Sequence, residues 1–247
     1  MIVRTPIPFR EALARHEVRA VLPTNLSSAE LRRLNNQILQ RSFFSARTAL
    51  ETYLQGAKTR ISELVEGTVD PATVRADLRR LLQELGYRPD PDERGSITDL
   101  SSDRRLDLVI KTNTEIAQGY GHWRQGQDEE VLDQWPAQEL ARVIETEQQR
   151  PWLERFRLAG ESTGARIGEG WTITPEGRMV ALKNHAIWQA LGSAELFEDA
   201  LGNPYPPFAF NSGMDVRDVD REEAMEIGLI DRDTRVEPVF SEFGVEG

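Results

Sequence analysis

From Leu31 to about Glu66, apolar residues recur at helical spacing with no proline between them: Leu31, Leu34, Ile38, Phe43 or Phe44, Leu50, Leu54, Ile61 and Leu64 or Val65. The period predicts one long helix, with Gly56 as the place where it would bend. Ser27 precedes it and Glu30 follows three positions later, the reciprocal pairing that satisfies the free amides of a first turn. A shorter helix is predicted over residues 6–20, after a proline-marked turn.

Asp70-Pro71 opens another helix, with the aspartate as cap and the proline in the first turn. Val74, Leu78, Leu81 or Leu82 and Leu85 form its stripe, and Gly86 is the expected stop. Residues 88–96 are polar and proline-containing, which reads as a linker. A further helix spans Ser102 to Gln125, with Leu106, Val109, Ile110, Asn113, Ile116, Ala117, Tyr120 and Trp123 on one face. Gly119 and Gly121 each weaken it by roughly 1 kcal/mol relative to alanine, so that helix is expected to pack against something at short range.

After Trp135-Pro136 the pattern shortens. Glu139–Glu145 alternates like a half-buried strand, and Met179–Lys183 is a second strand candidate. A short helix is predicted over His185–Leu191. A last one is capped by Asp220, with Glu223 in the reciprocal position and Gly228 as its end. The fold class is α+β: long helices first, then a small mixed α/β domain. The expected divisions are a helical region over 1–96, a mixed domain over 97–230 and an acidic, extended tail over 231–247.

One stretch breaks every periodicity. Leu201 to Met214, LGNPYPPFAFNSGM, holds three prolines, three aromatics and two glycines in fourteen positions. Proline forbids a regular helix there. Tyr205, Phe208 and Phe210 carry too much apolar surface for a solvated linker. The stretch reads as a rigid loop pinned into a core by its rings, presenting Tyr205, Pro207, Phe208, Phe210 and Asn211 as a fixed platform that closes the mixed domain.

Charge is divided unevenly. Residues 1–60 hold ten Lys/Arg against four Asp/Glu, a net +6, and the remainder twenty against thirty-seven, a net −17. A basic end on an acidic body suits attachment to an acidic surface or to nucleic acid, with Arg15, Arg19, Arg32 and Arg33 as candidate phosphate contacts, or else a helix with an arginine-rich exposed face. Within that region Arg41, Phe43, Phe44 and Arg47 stand close together and are candidate partner contacts. Adjacent rings point about 100° apart on a helix, so burying both requires neighbours on two sides, in its own fold or in an assembly.

Candidate chemistry is sparse. Cysteine is absent, which removes disulfides, thiolate nucleophiles and cysteine metal sites. His16, His122 and His185 fall in no metal-binding spacing, so no metal and no cofactor is expected. Gly160–Gly170 is glycine-rich but lacks the spacing of a phosphate-binding loop, and Asn211-Ser212-Gly213 lacks the context of a serine nucleophile. No window approaches roughly 18 consecutive apolar residues, and the N-terminus has no signal-peptide pattern, so no membrane partner is expected. An accessory hydrolase or nuclease-like enzyme using His122 or His185 with a carboxylate is the alternative to a binding protein.

The order of parts from Asp107 onward resembles a known family. Lys111-Thr112-Asn113-Thr114 and Gly119-Tyr120-Gly121-His122-Trp123 are followed by Arg142-Val143-Ile144, Arg150-Pro151-Trp152, Leu158-Ala159-Gly160 and Trp188. Tyr205-Pro206-Pro207-Phe208-Ala209-Phe210-Asn211 closes the series. This is similar to the phage Mu F-like minor head proteins, or head morphogenesis proteins, over roughly residues 105–215. The motifs are individually loose, and their order carries the weight.

Many members follow Phe-Asn with a Cys-x-Cys pair, where this chain has Ser212 and Met214. Packing must therefore lock the loop here. The resemblance implies a low-copy virion component near the portal vertex, assembled in the host cytoplasm beside portal and capsid proteins. Contact with packaged DNA through the basic N-terminal region is implied for some members. No enzymatic role follows from it.

Overall fold

The helix predicted at Asp70-Pro71 begins there because the Asp70 side chain accepts from the amides of Ala72 (2.9 Å) and Thr73 (3.1 Å). Such local signals recur through a computed structural model that describes residues 9–31, 34, 36–146 and 149–239. The chain is α+β and divides into two compact units, one running to Gly121 and the other from His122.

In the first unit, α1 (Arg10–Glu17), β1 (Ala20–Val21), α2 (Ser28–Leu31), α3 (Asn36–Arg41) and β2 (Ser42–Phe43) precede α4 (Glu51–Val65), α5 (Pro71–Glu84) and α6 (Asp103–Gln125), whose last residues from His122 on count with the second. The core gathers Phe43, Tyr53, Leu54, Ile61, Val74, Leu78, Leu82, Leu106 and Ile110. Every residue predicted on the apolar face of α6 from Leu106 to Trp123 is buried. Gly86, at φ +74, ends the α5 turn and lets the Tyr87 amide reach the Leu82 carbonyl at 2.9 Å.

The single long helix expected over residues 28–66 does not form. The Ser27–Glu30 pairing is present, with the Ser27 amide donating to Glu30 Oε2 at 2.8 Å, but it caps only the one turn of α2. After α3 the chain leaves the helical path, β2 pairs in parallel with β1 (Ala20 beside Ser42, Val21 beside Phe43), and α4 restarts at Glu51. Arginine side chains explain the break. Arg15 Nη2 donates to the Gln40 carbonyl (2.5 Å), Arg19 Nε to that of Ser42 (2.8 Å) and Arg105 Nη2 to that of Ala46 (2.5 Å). Carbonyls that a continuous helix would turn to its own amides are held by guanidinium groups instead.

Gly56 is a point of contact within α4. A methyl group there would lie 2.4 Å from Leu81 Cδ2, so the missing side chain lets α4 and α5 approach closely. The short-range packing expected around the α6 glycines is met at Gly121, where a methyl would lie 2.4 Å from the Phe9 ring.

The second unit contains α7 (Glu129–Gln134), β3 (Ala137–Arg142), α8 (Trp152–Ser162), β4 (Trp171–Ile173), β5 (Met179–Leu182), α9 (Ile187–Leu191), β6 (Met214–Val219) and α10 (Arg221–Glu226). The strands form an antiparallel sheet in the order β4-β5-β3-β6, with Leu140 beside Met179 and Val216, and Ala137 beside Leu182 and Val219. Alternation divides the apolar residues between its faces. Leu140 and Ala181 join Trp171, Phe156 and Trp188 on one side, while Ala137, Val180 and Val219 meet Ala224, Leu229 and Ile230 on the other.

β3 is thus covered on both faces rather than half-buried, and Gln138 and Glu139 are buried with it. Glu139 survives there because Arg178 and Arg217 donate to its Oε2 at 2.8 and 2.6 Å. Burial alone would raise that carboxyl, and the two arginines instead hold it below its usual range. Val143 and Ile144, predicted inside the strand, lie beyond its end and are exposed.

Candidate functional site

The proline-aromatic loop grows out of α9. Backbone hydrogen bonds tie its first residues, Leu201 N donating to Phe208 O (2.9 Å) and Gly202 N to Gly192 O just after α9 (2.7 Å). Inside it, Asn203 Nδ2 donates to the Pro207 carbonyl at 3.3 Å. A side chain at Gly192 would collide with the Asn203 carbonyl, 1.8 Å from a methyl carbon, so only glycine admits this closure.

Rings then anchor the loop. Phe208 stacks on Trp188 with centroids 6.1 Å apart, and Trp188 meets Phe156, which in turn meets Trp171, both edge to face. Tyr205 lies against Trp123 with centroids 6.0 Å apart. The indoles are themselves fixed, Trp188 Nε1 donating to Leu182 O and Trp171 Nε1 to Ala165 O. Each buried ring removes a large apolar area from water, so this continuous series is the main anchor of the loop.

A second clamp is polar. Arg150 binds Asp199 through Nε at 2.5 Å, and its Nη2 and Nη1 donate to the carbonyls of Phe210 (2.8 Å) and Asn211 (3.4 Å). Arg155 donates to the other Asp199 oxygen and lies over the rings of Trp152 and Phe197. Burial would raise the Asp199 carboxyl, yet the two guanidinium groups outweigh it and hold the group below the usual carboxylate range.

Past the clamp the chain turns sharply. Asn211 adopts φ +47 and Gly213 φ +66, and a methyl at Gly213 would lie 2.2 Å from the Ile144 carbonyl. The Gly213 carbonyl accepts from both Val143 N (2.9 Å) and Ile144 N (3.1 Å). The buried Ser212 accepts the Met214 amide at 3.2 Å. The turn is closed by a hydroxyl and backbone groups, with no thiol in it.

The sequence-predicted platform residues therefore divide. Tyr205, Pro207 and Phe208 face inward and serve as anchors, not contacts. Phe210 is half-buried and Asn211 exposed, and they supply the outward side. Val143 and Ile144, at 60% and 53% exposure and tethered to Gly213, add an apolar tip that the strand reading had hidden. The Arg150–Asp199 clamp had no signal in the sequence, since forty-nine positions separate its members.

The first unit changes its list more. Phe43 is fully buried, with its ring edge against His16, so it is a core residue rather than a partner contact. Phe44 is half-buried, and Arg41 and Arg47 are exposed. Arg15 and Arg19 are buried, their donors directed at carbonyls and at Asn113 Oδ1 (2.8 Å from Arg19 Nη1), and are thereby removed as phosphate contacts. Arg32 and Arg33 lie outside the described residues.

The two histidines of the enzymatic alternative stand on different helices, His122 in α6 and His185 just before α9. Half-buried His185 accepts the amide of Ile187, the first residue of α9, on Nδ1 at 3.1 Å, and desolvation lowers its pKa. His122 is exposed on the last turn of α6. Among the described residues no cluster of His, Asp and Glu could hold a metal ion, and no helix is long and apolar enough to cross a membrane. No protein-family model, curated protein or solved structure matches the chain.

Proposed function

We propose that the chain is a head morphogenesis protein of a tailed phage, similar to the Mu F-like minor head proteins, and that it acts by binding. In this reading it is a low-copy component of the virion head near the portal. Its small mixed domain is closed by the proline-aromatic loop, and its partners are portal and capsid proteins. The observation that carries the reading is the immobilisation of residues 201–214, whose buried rings leave Phe210 and Asn211 on a fixed outward surface beside Val143 and Ile144. A loop fixed on its inner side loses little further entropy when a partner meets its outer side. Packaged DNA is a lesser partner in this reading, because among the described residues of the basic region the exposed arginines are Arg10, Arg41 and Arg47.

The test is co-expression with the portal protein of the same phage. The wild-type chain and the His122→Ala and His185→Ala variants should co-purify with portal, whereas Phe210→Glu and Ile144→Glu should not while remaining folded. Turnover of nucleic acid or peptide that disappears in either histidine variant would overturn the reading. So would portal association unaffected by both surface substitutions.

A further inference from the structure

Beyond α10, residues 231–239 form neither helix nor strand, yet side chains of the second unit hold three of their backbone groups. Arg221 Nη1 donates to the Thr234 carbonyl (3.1 Å) and Asn184 Nδ2 to that of Glu237 (3.1 Å), while the Val239 amide donates to Gln127 Oε1 (2.8 Å). The holding side chains come from three places: the start of α10, the turn after β5 and the passage between α6 and α7. Val236 is buried between these attachments, whereas Arg235, Glu237 and Val239 are exposed. Val236 belongs to neither apolar cluster of the sheet.

Two of the holding side chains are fixed by contacts that do not involve this segment. Gln127 is 3% exposed, and its Nε2 donates to the Lys183 carbonyl at 3.3 Å. Arg221 grips Asp133 twice, through Nε on the carbonyl (2.6 Å) and Nη2 on Oδ1 (3.1 Å). Both keep their aim when the segment leaves, so the receiving surface is built in advance. What it reads is main chain, two carbonyls and one amide, with Val236 as the side chain that it buries. Main-chain bonds that supply attachment, with a pocket that supplies choice, are the means by which proteins take extended peptides. So little apolar surface holds the segment that it opens locally before the sheet does.

We propose that Gln127, Asn184 and Arg221 form a groove for an extended peptide, that residues 234–239 fill it as a tethered ligand, and that the same segment of a second copy can replace them. The second copy is the occupant because its segment carries the same carbonyls, amide and valine at the same spacing. A tethered segment outcompetes a free one through its high effective concentration. Isolated chains therefore stay closed, and exchange sets in where copies are crowded together. None of these residues belongs to the loop 201–214 or to its tethers, so the inference stands apart from the head-protein reading.

The probe is a fluorescein-labelled peptide of residues 231–242, titrated by anisotropy into the full-length protein. It should bind Val236→Asp, whose own segment no longer seats, at least about tenfold more tightly than the wild type, with the variant's near-ultraviolet circular dichroism unchanged. Methylating the peptide's Val239 nitrogen removes the donor that Gln127 reads, and should weaken binding about tenfold. A peptide carrying Val236→Asp should not bind. In the wild type, the Val239 amide should exchange with solvent far sooner than the amides of β3, and sooner still when excess peptide displaces it. Equal affinity of the peptide for both chains, no binding to a folded Val236→Asp, or indifference to the methyl group would overturn the proposal. So would Val239 exchange as slow as that of β3, a measurement that decides the matter even where Val236→Asp does not fold.

Discussion

Phe208 lies parallel to Trp188, ring centroids 6.1 Å apart and planes inclined by 20°, so the proline-rich loop is continuous with the core beneath the sheet. Replacing Phe208 with alanine should destabilise the protein by about 3–5 kcal/mol, the usual cost of deleting a fully buried ring. Denaturant unfolding measures the loss. Phe210→Ala, at a half-buried position, should cost much less, and equal losses would mean that the loop is not anchored on one side.

Gly160 on α8 faces Trp171 so closely that a methyl would lie 2.6 Å from three atoms of the indole. Alanine would improve helix propensity by up to about 1 kcal/mol, but overpacking a fixed tryptophan costs about 1–3 kcal/mol. Gly160→Ala should therefore lower the melting midpoint, with a changed Trp171 near-ultraviolet signal. A rise in midpoint would show that the indole can yield.

His16 is fully buried between α1 and α4, its Nε2 bonded to the Lys58 carbonyl at 2.9 Å. Desolvation, aided by Arg19, Lys58 and Arg15, lowers its pKa from 6.5 to about 4. A lowered histidine favours the fold above the unfolded value and loses that contribution as pH falls from 6.5 toward 4. The loss approaches about 3 kcal/mol once both states are protonated. Unfolding free energy measured between pH 7 and 4 should fall with this slope, and His16→Gln should flatten it.

Asp199 neutralises two guanidinium groups, so Asp199→Asn should leave Arg150 and Arg155 short of an anion and loosen the Phe210–Asn211 carbonyls. The expected cost is about 2 kcal/mol, the scale of a charge-assisted hydrogen bond. In the wild type this contribution is present above the ordinary aspartate pKa and is lost as pH falls through the lowered one. Amide exchange at residues 208–213 should accelerate in the variant, and unchanged exchange would mean that the rings alone fix the loop.

Local signals were legible wherever one residue's own chemistry decided the outcome. Asp70 and Asp220 cap helices as their sequence contexts predict, the α6 stripe is buried throughout, and the rings of Tyr205 and Phe208 face inward. The errors share one cause, long-range partners. The helix expected over 28–66 is broken by guanidinium groups from Arg15 and Arg105, and nothing in the local period announces them. β3 reads as half-buried because alternation cannot reveal that α10 covers its second face. The loop was legible as an anchored segment, whereas its tethers to Val143, Ile144 and Arg150 arise only once Gly213 and Asp199 are brought to them.

Arg15, Arg19 and Arg105 are fastened to the carbonyls of Gln40, Ser42 and Ala46, so three guanidinium groups that the composition counts as basic are withheld from water in the fold. A polyanion such as heparin meets those groups only after the first unit opens. Ligands of that kind therefore favour the unfolded chain, and retention on a cation exchanger would report damaged molecules sooner than intact ones.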